Sequence, residues 1–290
     1  MKYNQLGSTN LHVSEIGLGS WVFGGKNWGQ ASDADSEATI KEALNQGINF
    51  IDTAPIYGFG HAEEVIGKSL KAIRQQVIIS TKCGLRQTAH GINHDLSEEF
   101  INQELLNSLQ RLQTDYIDIY WIHWPDPNIP TGKALESLQK LKKKGLIRYI
   151  GLCNHALPDI QDANISSQID CLQHQYSILE RTIEKEIIPY VQACSLGLVT
   201  YGALHGGLLT DKYKTPPNLS KKEAKAFFYK LNEQGTWEKA QDCLQVLANN
   251  NMQKNITQAA IKWTTNNVAI NSVLVGARNR KQLLDFFASG

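Results

Sequence analysis

Four side chains of complementary chemistry stand where alternating strands and helices would bring them together. Asp52 closes the apolar run Asn49-Phe50-Ile51-Asp52-Thr53-Ala54. Lys82 follows the run Val77 to Thr81, and His123 follows Tyr116 to Ile122. Each run is too short for a helix and reads as a buried strand, so each ionisable group sits at a strand's C-terminal end. Pro55 breaks the first run and opens a loop that presents Tyr57. Parallel strands lie about 4.8 Å apart, which makes the three strand ends neighbours with a phenol alongside. The chemistry that suits them is proton donation to a carbonyl oxygen. A phenol with a pKa of about 10 is a weak acid, and an ammonium beside it is expected to favour the phenolate and strengthen that acid. The carboxylate would hold the ammonium charged and aimed, and the imidazole would orient the carbonyl. Taken singly, Asp52 reads equally as a loop cap, Lys82 as a surface residue, His123 as a core histidine and Tyr57 as packing. The functional reading rests on the four coinciding at matched strand ends.

The elements that must position them follow from the periodicity. Residues 1–13 read as a small β-hairpin turning at Gly7-Ser8-Thr9-Asn10, followed by a strand from Glu15 to Trp21 and a loop ending Phe23-Gly24-Gly25. Helical spacing appears at Ser36 to Asn45, Ala62 to Ile73, Ser97 to Leu112, Ala134 to Lys144, after Pro158, and at Glu184 to Cys194. It returns at Trp237 to Ala248, Ile256 to Thr265 and Arg280 to Phe287. Further strands are expected at Ile147 to Leu152, Ile169 to Gln173, Leu198 to Tyr201 and Ser272 to Val275. Eight strands separated by helices predict an α/β fold: a closed (β/α)8 TIM barrel with an N-terminal β-hairpin, one domain over residues 1–290. A doubly wound sheet is the alternative. Gly17-Leu18-Gly19 continues as Ser20-Trp21-Val22, so the dinucleotide fingerprint of that fold is missing. The polar stretch 205–235, with Pro216-Pro217 and many lysines, is too long for a simple connection and predicts a functional loop or lid.

The chain of 290 residues is 42% hydrophobic and 20% charged with net charge +1, a balance that argues against nucleic-acid binding. Its densest basic run, Lys142-Lys143-Lys144, reads as a solvated helix end. The five cysteines have neither zinc nor redox-motif spacing, which predicts reduced thiols in a cytoplasmic protein. Met1-Lys2-Tyr3-Asn4-Gln5 does not read as a signal peptide, and no membrane span is expected. His90 and His94 fall in a Gly/Asn-containing stretch and read as a solvated loop, so no metal site is expected.

Asp52, Tyr57, Lys82 and His123, in the contexts Asp-Thr-Ala-Pro-Ile-Tyr-Gly, Ser-Thr-Lys-Cys-Gly and Ile-His-Trp-Pro, resemble the catalytic tetrad of the aldo-keto reductases. The resemblance extends along nearly the whole chain. It includes Gly17-Leu18-Gly19-Ser20-Trp21, Ser108-Leu109-Gln110-Arg111-Leu112, Gln173-His174-Gln175-Tyr176-Ser177, Gly207-Leu208-Leu209-Thr210 and Val275-Gly276-Ala277-Arg278. The variety resembles bacterial reductases of the inositol-operon and general-stress type.

The resemblance implies a barrel that holds NADP(H) across the strand ends and reduces small-molecule aldehydes or ketones to alcohols. Tyr57 would give the proton, Lys82 and Asp52 would tune it, and His123 would orient the substrate. Cys153, Asn154 and Gln173 are implied at the nicotinamide amide and Tyr201 on its ring, with Trp21 and Asp52 also beside the cofactor. Gly202, Leu204 and Gly207 are implied at the pyrophosphate, where Tyr201-Gly202-Ala203-Leu204 lacks the hydroxyl of the relatives' Tyr-Ser-Pro-Leu. Gly276, Arg278, Gln282 and Asp285 are implied at the adenosine phosphate, and Phe286 stands where many relatives have Asn. Arg278, Arg280 and Lys281 at a helix start suggest NADPH over NADH, the alternative being a solvated basic helix start. Relatives carry a tail past the last helix, whereas this chain ends at Gly290. Trp21, Tyr57, His123 and Trp124, with the 205–235 stretch, are therefore expected to wall the substrate pocket; packing is the other reading of the two tryptophans. A rival of a different class is a nucleotide-sensing regulatory subunit that binds NADPH with very slow turnover.

Overall fold

The computed structural model describes residues 1–25, 31–89, 91–165, 169–220, 224–249 and 255–287. β1 (Tyr3–Gln5) and β2 (His12–Ser14) form the expected antiparallel hairpin. β3 (Ile16–Gly19) then leads through a 3-10 turn, Trp21–Phe23, to α1 (Asp33–Asn45), and β4 (Phe50–Asp52) leads to α2 (His61–Leu70). β5 (Ile78–Cys83) is followed by β6 (Leu85–Thr88), β7 (Gly91–His94) and α3 (Glu98–Leu112). β8 (Ile117–Ile122) precedes α4 (Thr131–Lys143), β9 (Ile147–Cys153) precedes α5 (Leu157–Asn164), and β10 (Cys171–Gln175) precedes α6 (Ile187–Cys194). β11 (Gly197–Tyr201) is followed by α7 (Ala224–Phe228), α8 (Thr236–Asn249) and α9 (Ile256–Thr265), and β12 (Ser272–Val275) by α10 (Arg280–Leu284).

β3, β4, β5, β8, β9, β10, β11 and β12 pair in parallel and close into a barrel, which removes the doubly wound alternative. Side chains alternate in and out along each strand. The inward set Phe50, Ile119, Trp121, Cys153, Cys171, Val199 and Leu274 packs into one buried cluster with Leu6 and Val13 of the hairpin. Leu6 plugs the N-terminal mouth: a Cβ on Gly197 would lie 2.6 Å from its Cδ1. Trp121 fills the centre because its partner in β9 is Gly151, where a Cβ would lie 2.0 Å from the indole. The outward set, with Ile51, Ile79, Ile122, Leu152, Leu172 and Leu198, packs in a second, larger cluster with helix residues such as Ile101, Leu105 and Leu138. Ser32 and Ser97 cap α1 and α3 by accepting from the backbone N–H of Asp35 and Phe100.

Three expectations are corrected. The Gly/Asn-containing stretch around His94 is a hairpin, β6 on β7, held by Thr88 paired with Gly91 and Leu85 with His94; His90 lies outside the described residues. The second helix ends at Leu70 and tightens into a 3-10 segment, Lys71–Gln76. The last helix is five residues long, Arg280–Leu284, and not a run to Phe287. The chain end at Gly290 lies outside the described residues. Among the described residues no helix is long and apolar enough to cross a membrane.

Candidate active site

β4, β5 and β8, with the residues that follow them, carry the four proposed reactive groups, three of them placed by the period of two. Asp52 is the last residue of β4 and pairs in register with Ser80, so Ser80 and Lys82, two residues on, share its inward face. Ser80 Oγ donates to Asp52 Oδ1 at 2.6 Å, and Lys82 Nζ donates to Asp52 Oδ2 at 2.6 Å and to the Thr53 carbonyl at 2.8 Å. His123 continues the inward face of β8 one step beyond Trp121, its backbone N–H donating to the Cys83 carbonyl. Tyr57 returns over them from the β4 loop: its ring lies 5.0 Å from Lys82 Nζ and edge-on to His123 at 6.0 Å between centroids. All four are buried, Lys82 at 1% exposure and Tyr57 and His123 at 8%.

The electrostatics differ from the sequence reading at Tyr57. Burial, then the Asp52 carboxylate, pushes the phenol well above its ordinary value, where the expectation was a fall driven by Lys82. The ammonium is committed to Asp52 and Thr53, and the carboxylate that neutralises it also disfavours a phenolate. His123 moves the other way. Burial, then Lys82, holds its imidazole well below the usual range, so it is neutral at pH 7.

A second row of polar groups crosses the ends of β9, β10 and β11. Tyr201 Oη donates to Asn154 Oδ1 at 2.7 Å, and Asn154 Nδ2 donates to Cys153 Sγ at 3.1 Å and to the His123 carbonyl at 3.2 Å. Cys153 Sγ donates to Gln173 Oε1 at 3.3 Å, and Gln173 Nε2 donates to Asp52 Oδ1 at 3.0 Å. The row thus joins the tetrad. Asn154 turns back at φ +61°, a left-handed conformation that Asn tolerates better than most residues and that is enriched at functional sites. Burial raises the Cys153 thiol, which stays protonated as a donor.

Beyond β11, Gly202 and Gly207 lie at φ +81° and +101°, with Leu204 opening the 3-10 turn His205–Gly207 between them. The side chain of Lys212 passes Gly207: a Cβ there would lie 3.3 Å from its Cδ. Beyond β12, Gly276 abuts the Gly19 carbonyl, where a Cβ would lie at 3.4 Å. Gln282 Oε1 accepts from the Arg278 backbone N–H at 2.9 Å, and Asn279 caps α10 by accepting from the Gln282 N–H at 3.0 Å. Gln282 therefore closes its own loop, and the start of α10 is already capped. Arg280 is drawn away to Glu42 of α1 at 2.8 Å. Among the described residues the Arg278 guanidinium has no hydrogen-bond or ion-pair partner. Asp285 ends α10, its carbonyl accepting from Asn255 and Gln258.

Trp21 and Trp124 flank the tetrad. Trp21 lies 5.7 Å from Tyr57, and Phe228 reaches both tryptophans, at 5.1 Å and 6.3 Å between centroids. Three residues here were not singled out by the sequence reading. Ser80 had a signal, its place two residues before Lys82 on the same strand face. Lys212 and Phe228 were covered only as members of the 205–235 stretch expected to wall the pocket, because no periodicity after β11 singles them out. Among the described residues, no three His, Cys, Asp or Glu side chains gather as a metal site.

The chain matches the aldo/keto reductase family over residues 15–290. It is 34% identical over 297 aligned positions to aldo-keto reductase YhdN of Bacillus subtilis, covering 98% of this chain and 87% of that protein. It is 38% identical over 229 positions to an NADH-specific methylglyoxal reductase of Escherichia coli, covering 72% of this chain and 69% of that protein. The solved structure of a glycerol dehydrogenase from Gluconobacter oxydans superposes with TM-score 0.87 at 32% identity, covering 99% of this chain and 90% of that one. A barrel that gathers these groups at its strand ends and shares sequence over its length with such proteins belongs to the aldo/keto reductase family.

Proposed function

We propose that the protein is an NADP(H)-dependent oxidoreductase that reduces aldehydes or ketones to alcohols. The carrying observation is the buried Asp52–Lys82 pair, 2.6 Å apart, with Tyr57 and His123 beside it at adjacent strand ends. When bound, a nicotinamide cofactor supplies the hydride that reduces the carbonyl carbon. The chain's own residues do the rest. Neutral His123 orients the carbonyl by a hydrogen bond, and Tyr57 gives its proton to the oxygen. A forming alkoxide is a much stronger base than a phenolate, so a phenol kept protonated by burial still transfers its proton readily. Lys82, anchored by Asp52, offsets the negative charge that Tyr57 then carries.

The residues present fit such a cofactor. Asn154 and Gln173 offer amide donors and acceptors to a carboxamide, which would exchange with their mutual bonds. Asp52 and Tyr201 stand beside them, and Trp21 stands beside Tyr57. Gly202, Leu204 and Gly207 form a turn with Lys212 against it, suited to a pyrophosphate. Gly276, Gln282 and Asp285 frame a loop that leaves the Arg278 guanidinium available for a ribose phosphate. The name of the glycerol dehydrogenase and that of the methylglyoxal reductase support interconversion of carbonyls and alcohols. The five free cysteines support a cytoplasmic setting, and the single closed barrel supports one domain.

NADPH oxidation with a panel of aldehydes and ketones tests the reading; tight cofactor binding with negligible turnover on all of them would instead favour the regulatory subunit. The cofactor preference is tested separately, because one relative is named NADH-specific. A charged hydrogen bond contributes roughly 1.5–3 kcal/mol, so Arg278 predicts about ten- to a hundredfold tighter binding of NADPH than NADH. Dissociation constants for both cofactors, in wild type and Arg278→Ala, decide it. Equal affinities in wild type would remove the preference, and a preference undiminished in Arg278→Ala would move the phosphate contact elsewhere.

A further inference from the structure

The stretch after β11 returns to the barrel mouth as α7, and its last residue, Phe228, meets both tryptophans of the candidate site. Its ring is edge-on to Trp21 at 5.1 Å and tilted to Trp124 at 6.3 Å. Trp21 lies 5.7 Å from Tyr57, Tyr57 lies 6.0 Å from His123, and His123 precedes Trp124 in the chain. These five rings form an aromatic collar that includes two of the groups assigned to the reaction, Tyr57 and His123. We propose that Phe228 completes this collar as the specificity-determining residue, restricting the site to short, uncharged aldehydes and ketones. The proposal rests on the carbonyl-reducing reading and adds to it the class of molecule admitted.

Size follows from burial. With Phe228 in place, Tyr57 and His123 are each only 8% exposed, so a carbonyl reaching them passes between the rings of Trp21, Trp124 and Phe228. Phe228 is also held in position by its neighbour. The Tyr229 carbonyl lies 3.1 Å from His205 Nε2, and its ring rests on two glycines. A Cβ on Gly202 or Gly206 would lie 3.0 or 2.9 Å from that ring. A larger substrate must therefore displace Phe228 against an anchored backbone. Charge selection follows from the lining. The collar rings are neutral, and Lys82 is paired with Asp52, so among the described residues the collar offers an anionic or cationic substrate no counter-ion for its desolvation.

The test measures kcat/KM for propanal and for 2-naphthaldehyde in wild type, Phe228→Ala and Phe228→Trp. The expected result is a wild-type preference for propanal that falls at least tenfold in Phe228→Ala and does not fall in Phe228→Trp. Turnover in all three proteins with the ratio unchanged within threefold would overturn the role of Phe228 and leave the carbonyl reading standing. Absence of turnover with any carbonyl would remove the carbonyl reading instead. Dissociation constants of the two aldehydes, from equilibrium dialysis, then decide the collar alone: a tenfold gain of Phe228→Ala for the naphthyl compound supports it, and an unchanged ratio overturns it.

Discussion

Tyr57 holds its proton because its hydroxyl is desolvated beside a carboxylate, and His123 stays neutral because it is desolvated beside an ammonium. Both states suit a site that donates a proton to oxygen. General acid catalysis contributes roughly 10²–10⁴-fold, so Tyr57→Phe is expected to lower kcat by at least a hundredfold while cofactor affinity is kept. Turnover within threefold of wild type would remove Tyr57 from the role. Lys82 and Asp52 make a sharper case. Lys82→Met leaves a buried carboxylate without its ammonium, a change that typically destabilises by about 3–5 kcal/mol. The double variant Asp52→Asn/Lys82→Met removes the stranded charge and is expected to recover most of that stability, while activity stays lost. Chemical denaturation of the two variants, read beside their turnover, separates folding from catalysis; a double variant no more stable than Lys82→Met would show that the pair is not stabilising through charge neutralisation.

At the scale of elements, β5 is tied to α3 by an acid that the reaction does not use. Glu104 of α3 accepts from the backbone N–H of Gly84, just past the end of β5, at 2.9 Å. Burial raises its pKa to about 8. Because the folded value lies above the unfolded one, this group's contribution is complete below pH about 4.5 and is lost as pH rises towards 8. Glu104→Gln keeps an acceptor for Gly84 and has no charge to desolvate. The variant is expected to match wild type near pH 4.5 and to exceed it at pH 8 by on the order of 2 kcal/mol. Unfolding midpoints at the two pH values check it, and a difference that does not change with pH would refute the assignment. Glu63 on α2 is also raised by burial, although Arg111 sits 2.6 Å away. Desolvation therefore outweighs pairing behind this strand.

For the whole molecule, closure of the barrel leaves one end for chemistry and one to be sealed. The hairpin β1–β2 seals the second, with Leu6 and Val13 fully buried in the interior cluster. Leu6→Ala is expected to cost about 2–5 kcal/mol, since a void beneath Gly197 and Cys171 cannot be filled by rigid strands. The wild-type kcat is expected to persist under native conditions because the plug lies at the opposite end from the tetrad. A loss of kcat without a loss of stability would show that the two ends are coupled.

The barrel was legible because its signal is local. Each strand is a short apolar run, each helix a stripe, some with a capping Ser or Asn, and the period of two places Asp52, Lys82, His123, Gln173 and Tyr201 on inward positions at or near the strand ends. The family pattern then named their neighbours. Interactions that join residues far apart in the chain were not legible. Ser80 meets an oxygen of Asp52 through strand register, and Gln173 reaches the same oxygen from across the closed barrel. Arg280 is claimed by Glu42, and Gln282 by its own loop, through packing that no spacing shows. The sign of the Tyr57 shift turned on burial, a property of the assembled barrel rather than of any neighbour in sequence. Phe228 reached the site from an aperiodic stretch, placed there by an anchored tyrosine and two glycines. The sequence determined which groups meet at the strand ends; tertiary structure decided how wet they are, which partners they take and what closes over them, because desolvation and long-range contact exist only once the chain has folded.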